Sequence, residues 1–239
     1  MSSLEGKRVV VIGGSEGIGL ATARAAVAAG ATVVIASRSQ VKLARATAAL
    51  GGAASAVPTD LAREEDVRRL FAAVGAFDHL VITAIQAALK PVHDLTVDEV
   101  QRTIGVKFWG PFFAVKHGSP QIARDGSITL FGGAAAHKPE AGGAVLAFAN
   151  AGVEGFVRAL AVELAPVRVN CVCPGVVDTP AWASLPPERR EAIFDQLRRT
   201  LPARRIGEAD DLAAAALFCM SNRFLTGTAL RLDGGATLV

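Results

Sequence analysis

Val9-Val-Val-Ile-Gly-Gly-Ser-Glu-Gly-Ile-Gly19 stands almost at the start of the chain, directly after Gly6-Lys7-Arg8. A short β-branched run ends in a glycine-rich turn, and an alanine-rich segment from Leu20 to Ala29 begins at once. The pattern predicts strand, tight loop, helix. Glycine lets the backbone turn sharply and approach a ligand closely, and the new helix aims its free N–H groups and positive dipole end at that point. A pyrophosphate is the natural occupant, which makes Gly13, Ser15, Glu16, Gly17, Ile18 and Gly19 candidate cofactor contacts. The spacing Gly13-x-x-x-Gly17-x-Gly19 differs from the commoner G-x-G-x-x-G fingerprint. A tight strand-to-helix turn also uses glycine for purely structural reasons, so the position between a first strand and a first helix carries the reading.

Outward from that loop, strand-like and helix-like segments alternate. Strands are expected at Lys7–Ile12, Ala31–Ser37, Ala53–Val57, Asp78–Thr83, Gly126–Phe131, Val167–Val172 and Thr228–Leu232. Helices are expected at Gln40–Leu50, Arg63–Val74, Ala144–Ala165 and Glu208–Ser221. A long helical region over Thr96–Ala123 is interrupted at Gly110-Pro111, and Pro174–Arg205 reads as irregular with a short helix. Repeated strand–helix units imply an α/β fold with a doubly wound parallel sheet and right-handed crossovers. No repeat or domain boundary interrupts the 239 residues, a length that suits one domain with a sizeable core.

Composition narrows the function classes. Half the residues are hydrophobic (51%) and one fifth charged (20%), which argues against a disordered chain. The net charge is only +3, with basic and acidic residues interspersed, so no nucleic-acid partner is expected. No apolar run is expected to reach the length needed to span a bilayer and no signal-peptide core is read at the N-terminus, so the expected location is the cytoplasm. Cys171, Cys173 and Cys219 are an odd set, two of them alternating on one strand. They read as small core hydrophobes rather than a disulfide framework, and no metal site is expected.

The end of the second strand addresses the cofactor. In such folds an acid there binds the ribose 2′-hydroxyl and selects NAD. Here the chain reads Ile35-Ala36-Ser37-Arg38. Ser37 can donate a hydrogen bond, and the planar fork of Arg38 suits a 2′-phosphate, so NADP(H) is preferred over NAD(H). Glu16 argues mildly the other way, since its carboxylate falls near that phosphate. Asp60, after the third strand, is a candidate for the adenine amino group or a plain cap for the next helix.

The loop Gly13–Gly19, the stretch Pro174-Gly-Val-Val-Asp-Thr-Pro180 and the ending Leu225-Thr-Gly-Thr-Ala-Leu-Arg-Leu-Asp-Gly-Gly235 resemble the short-chain dehydrogenase/reductase family, as does Arg168–Gly175. The resemblance covers essentially the whole chain. It implies a Rossmann sheet of seven strands with the cofactor across the strand ends. It also implies contacts from Asp60, Leu61, Thr83, Ala84, Asn150, Pro174 and Gly175, a backbone contact from Val177 and a side-chain contact from Thr179. It implies a substrate lid over about residues 180–207 and a homodimer or homotetramer.

The catalytic residues of that family do not carry over. Its members use a tyrosine as acid or base, a lysine four residues later, a serine and an asparagine. This chain has no tyrosine. Register set on Ala151-Gly-Val-Glu-Gly155 puts Leu146 at the tyrosine position, Asn150 at the lysine position and Gly133 at the serine position. Val106-Lys107-Phe-Trp-Gly110 resembles the asparagine segment, with Lys107 in the asparagine's place. The lysine and asparagine are thus exchanged. Either Asn150 holds ribose hydroxyls while Lys107 supplies a charge or a proton, or the site has drifted and Lys107 reaches solvent. His137 is a proton-donor candidate or an ordinary surface-loop histidine. His79, His93 and His117 show no clear partners. Trp182 walls the substrate or simply packs, and six arginines at 189, 190, 198, 199, 204 and 205 read as the wet face of a short helix over Ala192-Ile-Phe194 and Leu197.

A positioned general acid is worth on the order of 10²–10⁴ in rate, a serious loss for reducing a plain ketone. An iminium, a quinone or a conjugated carbonyl accepts hydride first and takes a proton from water. The sequence therefore points to an atypical NADP(H)-dependent oxidoreductase acting on a small organic carbonyl, imine or conjugated acceptor. The rivals are a non-catalytic NADP(H) sensor or scaffold, and a non-redox lyase or isomerase.

Overall fold

The computed structural model describes residues 3–239. Its main sheet has seven parallel strands in the order β3-β2-β1-β4-β5-β6-β9. They are β1 (Arg8–Ile12), β2 (Thr32–Ser37), β3 (Ala54–Pro58), β4 (Phe77–Ile82), β5 (Ile122–Phe131), β6 (Arg168–Pro174) and β9 (Ala229–Leu232). The chain steps outward from β1 through β2 to β3, then returns to the other side of β1 at β4. The strand order reverses there, which opens a crevice at the carboxyl ends of β1 and β4.

Strand periodicity builds the two core layers. Val9 and Val11 pack with Ala23, Ala26, Leu43, Ala46, Leu212 and Ala216, from α1 (Gly17–Ala28), α2 (Gln40–Leu50) and α8 (Ala209–Ser221). Val10 and Ile12 face the opposite way, onto Leu70, Phe71, Ala114, Val153 and Val157, from α3 (Glu64–Val74), α5 (Gly110–Gly118) and α6 (Ala144–Glu163). The run reads as continuously apolar because both faces of a parallel sheet are covered. Each valine, leucine, isoleucine or phenylalanine among them contributes about 1.5–3 kcal/mol on burial.

Several expected elements shift. The Thr96–Ala123 region is not one helix broken at Gly110-Pro111. Thr96 caps α4 (Val97–Ile104) in a reciprocal capping box with Glu99, a π-helical segment covers Gly105–Trp109, and α5 continues from Gly110. Pro111 falls where the π-helical segment passes into α5, and the chain stays helical through it. Ala123 belongs to β5, which is ten residues long. The short helix expected after Pro174 is the 14-residue α7 (Pro187–Thr200), and it lies between β7 (Val177–Asp178) and β8 (Gly207–Glu208), which pair in parallel. α6 corrects another expectation: it is 20 residues long and apolar enough to cross a membrane by length and composition. In this fold its inner face, with Val153, Val157 and Leu160, packs on the sheet.

Candidate active site

At the carboxyl ends of β1 and β4 lies a cleft of about 290 Å³. Its wall contains Gly13, Ser15, Glu16, Gly17, Ile18 and Gly19 from the opening loop, Ser37 and Arg38 from the end of β2, then Leu61, Thr83, Ala84 and Thr179. The structure adds Ile12, Thr59, Ile85, Val106, Pro180 and Ala181 to that wall. The loop geometry needs its glycines. Gly13 has φ +90°, and a β-carbon there would sit 2.6 Å from Thr83 Oγ1. A β-carbon on Gly19 would collide with the Gly13 carbonyl. Thr83 Oγ1 in turn donates to Ile12 O and Gly13 O, tying the end of β4 to the loop.

The α1 N-terminus has no side-chain cap and no acid in its first turn. Its first N–H groups therefore remain as donors, with the positive end of the helix dipole, at the cleft wall. A pyrophosphate fits that arrangement. Among the described residues, buried Ser37 Oγ has no hydrogen-bond partner, an orphan that a ligand oxygen in the cleft would satisfy. Beside it, both carboxylate oxygens of Glu16 accept from Lys42 Nζ at 2.8 Å. Lys42 neutralises the acid that argued against a 2′-phosphate. Sequence reading missed it; the available signal was a lysine in the first turn of the helix that follows Arg38.

The remaining candidates lie outside the cleft wall. Asp60 faces an adjoining depression that it shares with Arg38. Its Oδ1 accepts from Ala62 N at 3.1 Å, closing a local turn. The N-cap of α3 is Arg63, so the helix-cap reading of Asp60 is corrected. Val177 is buried in β7. Pro174 pairs with Leu232, and Gly175 N donates to Leu232 O. A β-carbon on Gly175 would sit 2.7 Å from Asp233 Cα, so that glycine permits a close backbone approach.

The exchanged pair meets at one corner. Lys107 projects from the π-helical segment into the interior, where its Nζ donates to Phe131 O and Gly132 O, both at 3.1 Å. It is 4% exposed, which overturns the expectation that it reaches solvent. Burial pulls its pKa down from 10.5 to about 8, partly offset by the nearby Cys171 and Cys173 thiols. Asn150, on α6, is also buried, and its Oδ1 has no partner among the described residues. A β-carbon on Gly133 would sit 2.6 Å from Asn150 Nδ2. Lys107 and Asn150 therefore converge on Gly132-Gly133, and a serine at position 133 would clash with Asn150. Leu146 is half-buried in the first turn of α6.

His137 is not a free loop histidine: its Nε2 lies 2.7 Å from Glu154 Oε1 on α6. Two other histidines gain partners against expectation. His79 Nδ1 pairs with Ser127 Oγ at 2.9 Å, and burial lowers its pKa from 6.5 to about 4. His117 Nε2 lies 3.0 Å from Glu64 Oε1. Trp182 packs edge-on against Phe194 with centroids 5.4 Å apart and donates to Val177 O, so its role here is packing. Phe194 is the buried anchor of α7, whereas Ala192, expected beside it, is exposed. Arg198 pairs with Glu191 and Asp195, and Arg205 with Asp211, as befits a wet face. All three cysteines are buried and free.

The family model described as enoyl-(acyl carrier protein) reductase matches residues 13–237. Among solved structures, a small-chain dehydrogenase in complex with NADPH is 36% identical, covers 98% of this chain and 99% of its own, and superposes with a TM-score of 0.87. The MalC reductase/Diels-Alderase from Malbranchea aurantiaca is 31% identical over 99% of this chain and 98% of its own, with a TM-score of 0.92. An NADPH-bound short-chain oxidoreductase from Pseudomonas aeruginosa PAO1 with an atypical catalytic center is 30% identical over 99% and 98%, with a TM-score of 0.91. With its seven-stranded sheet, its glycine loop at the switch point and these end-to-end likenesses, the chain belongs to the short-chain dehydrogenase/reductase family.

Proposed function

We propose that this protein is an atypical NADP(H)-dependent oxidoreductase acting on a small organic carbonyl, imine or conjugated acceptor. The observation that carries the cofactor reading is the orphaned Ser37 hydroxyl beside Arg38, with the Glu16 charge held by Lys42. That grouping favours an added phosphate over a bare ribose hydroxyl. The two NADPH-bound relatives support a nicotinamide cofactor in this fold. Bound NADPH supplies a hydride to an electron-poor carbon.

The chain's own residues have four tasks. The α1 N-terminus and the glycine loop hold the pyrophosphate. Ser37 and Arg38 bind the adenosine phosphate. The unpaired Asn150 Oδ1 is an acceptor for a sugar hydroxyl. Lys107 fixes a positive charge behind the Gly132-Gly133 corner, where it favours negative charge developing on a nearby acceptor. No tyrosine exists to deliver a proton, and Gly133 and Leu146 carry none. The acceptor must therefore be electrophilic without prior protonation, so positioning and exclusion of water do most of the work. Relatives described as having an atypical catalytic center and as a reductase/Diels-Alderase support reduction on altered sites of this fold.

A non-catalytic NADP(H)-binding sensor or scaffold is the second reading. It is favoured by Lys107, whose two carbonyl bonds point into the core. A non-redox lyase or isomerase would use the same pocket without nicotinamide turnover. Calorimetric titration with NADPH and NADH, followed by an absorbance screen of NADPH with an iminium and a quinone and of NADP⁺ with a simple secondary alcohol, separates these readings. Tight NADPH binding with oxidation by an electrophile is expected. Binding without oxidation across the panel supports the sensor, and efficient turnover of the simple alcohol contradicts the proposed substrate class. We also propose a homodimer or homotetramer. Phe108, Trp109, Phe148 and Val162 on the outer face of the π-helical segment and α6 are at least 42% exposed, and light scattering tests the assembly.

A further inference from the structure

His137, Glu154 and Cys173 come from three different elements: the turn after β5, α6 and β6. Their ligand atoms all lie within 4.8 Å of one another. His137 Nε2 is 2.7 Å from Glu154 Oε1, and Cys173 Sγ is 3.4 Å from that same oxygen. We propose that His137 Nε2, Glu154 Oε1 and Cys173 Sγ bind a divalent transition-metal ion of zinc-like character.

The donor set selects the ion. An imidazole and a thiolate disfavour magnesium and calcium, which take oxygen ligands, and suit zinc or cobalt. With bonds of about 2.0–2.3 Å, neighbouring ligand atoms of a tetrahedral zinc site sit roughly 3.3–3.8 Å apart. The Glu154–Cys173 separation already fits. The His137–Glu154 pair needs to open by about half an ångström and the His137–Cys173 pair, within 4.8 Å, needs to settle into the same range, and the exposed loop that carries His137 can supply both movements.

Charge also balances. A carboxylate and a thiolate offset the ion's two positive charges, with histidine neutral. On binding, the Cys173 S–H bond breaks, its proton leaves to solvent and a sulfur–metal bond forms. His137 Nε2 gives up the proton it shares with Glu154, the neutral ring keeping its proton on Nδ1, and metal bonds to nitrogen and oxygen replace that hydrogen bond with no oxidant involved. Glu154 and Cys173 are buried, while the His137 side chain is 32% exposed. That geometry gives an entry path and leaves a fourth position for water, the pattern of an open rather than a closed site. Cys171 Sγ, 3.5 Å from Cys173 Sγ, is a further soft donor nearby. The opposing cation is Lys107, which lies near both thiols and is held by two main-chain carbonyls. Counting cysteines alone hides this site, because its other two ligands come from elsewhere in the sequence. The inference is independent of whether hydride transfer occurs.

The test is titration of the chelator-stripped full-length protein with Co²⁺, followed by optical absorption. The expected result is one ion per chain, a near-ultraviolet thiolate-to-cobalt charge-transfer band and the intense visible bands of tetrahedral cobalt. Cys173→Ser should remove the charge-transfer band. His137→Ala, at a partly exposed loop position that leaves the core intact, should weaken binding by about a hundredfold, at least the loss seen for outer-shell partners. Cys219→Ser, a distant buried cysteine on α8, should leave the spectrum unchanged. Absence of the band in the parent protein, or its persistence in Cys173→Ser or His137→Ala, overturns the site. A His137–Glu154 hydrogen bond with a thiol neighbour is then the whole of the cluster.

Discussion

The opening loop and the Gly132-Gly133 corner sit at the carboxyl ends of strands in one sheet, yet they were built by different rules. In the loop, the proposed function rests on the backbone. Gly13 and Gly19 are required by clashes with Thr83 and with Gly13 itself, and main-chain N–H donors are the groups offered to a ligand. Side chains there can vary while the site persists. At the corner, the family's chemistry would rest on side chains, and the register read from the sequence puts a different one at each position: glycine for serine, leucine for tyrosine, and lysine and asparagine exchanged. On the proposed reading, the nucleotide seat stays as the fold builds it while the groups around the reacting centre differ. Each half can therefore be tested without the other.

The largest effect is expected from Gly19→Ala, which should abolish measurable NADPH binding by calorimetry, because its β-carbon collides with the Gly13 carbonyl. Preserved binding would mean that the loop is not the pyrophosphate seat. The corner responds to charge instead. Lys107 has a folded pKa of about 8 against 10.5. Between those values the unfolded chain binds more protons, so this residue's contribution to stability rises with pH there, and below pH 8 the buried ammonium is a cost. Lys107→Met should raise stability at pH 7 by up to about 3 kcal/mol, reduced by the two carbonyls left without a donor. The gap from the parent protein should close as pH climbs from 8 toward 10.5, measured by urea unfolding at several pH values. A pH-independent gap would show that the ammonium is not buried as described.

These two sites also show what could be read in advance. Alternating apolar runs, the glycine loop and the Ser37-Arg38 ending are local signals, so the sheet, its first crossover and most of the cleft wall were legible. The π-helical segment was not, because Gly105–Trp109 differs from ordinary helix only in how its backbone is paired. Lys42 and Glu154 were not singled out either. Each matters through a partner far away in sequence, 26 residues for Glu16–Lys42 and 17 for His137–Glu154. The inward turn of Lys107 runs against the usual exposure of lysine, and it required the carbonyls of Phe131 and Gly132 to be placed first.

Smaller effects sharpen the cofactor half. Arg38→Ala should weaken NADPH binding about tenfold or more, the loss of a charge-assisted hydrogen bond, while changing NADH affinity little. Equal losses for both cofactors would remove the 2′-phosphate assignment. Lys42→Ala releases the Glu16 carboxylate beside that phosphate. As an exposed pair, it should weaken NADPH binding only about two- to fivefold, with the penalty shrinking as salt is added.

The most direct measurement is a single-turnover absorbance trace of NADPH with a small cyclic iminium ion, recorded with the protein, with Gly19→Ala and in buffer alone. The expected result is consumption of NADPH well above the buffer rate with the parent protein and a return to the buffer rate with Gly19→Ala. A parent trace that matches buffer, under conditions where calorimetry shows NADPH bound, would contradict the account and identify the protein as a binder of NADPH rather than a user of it.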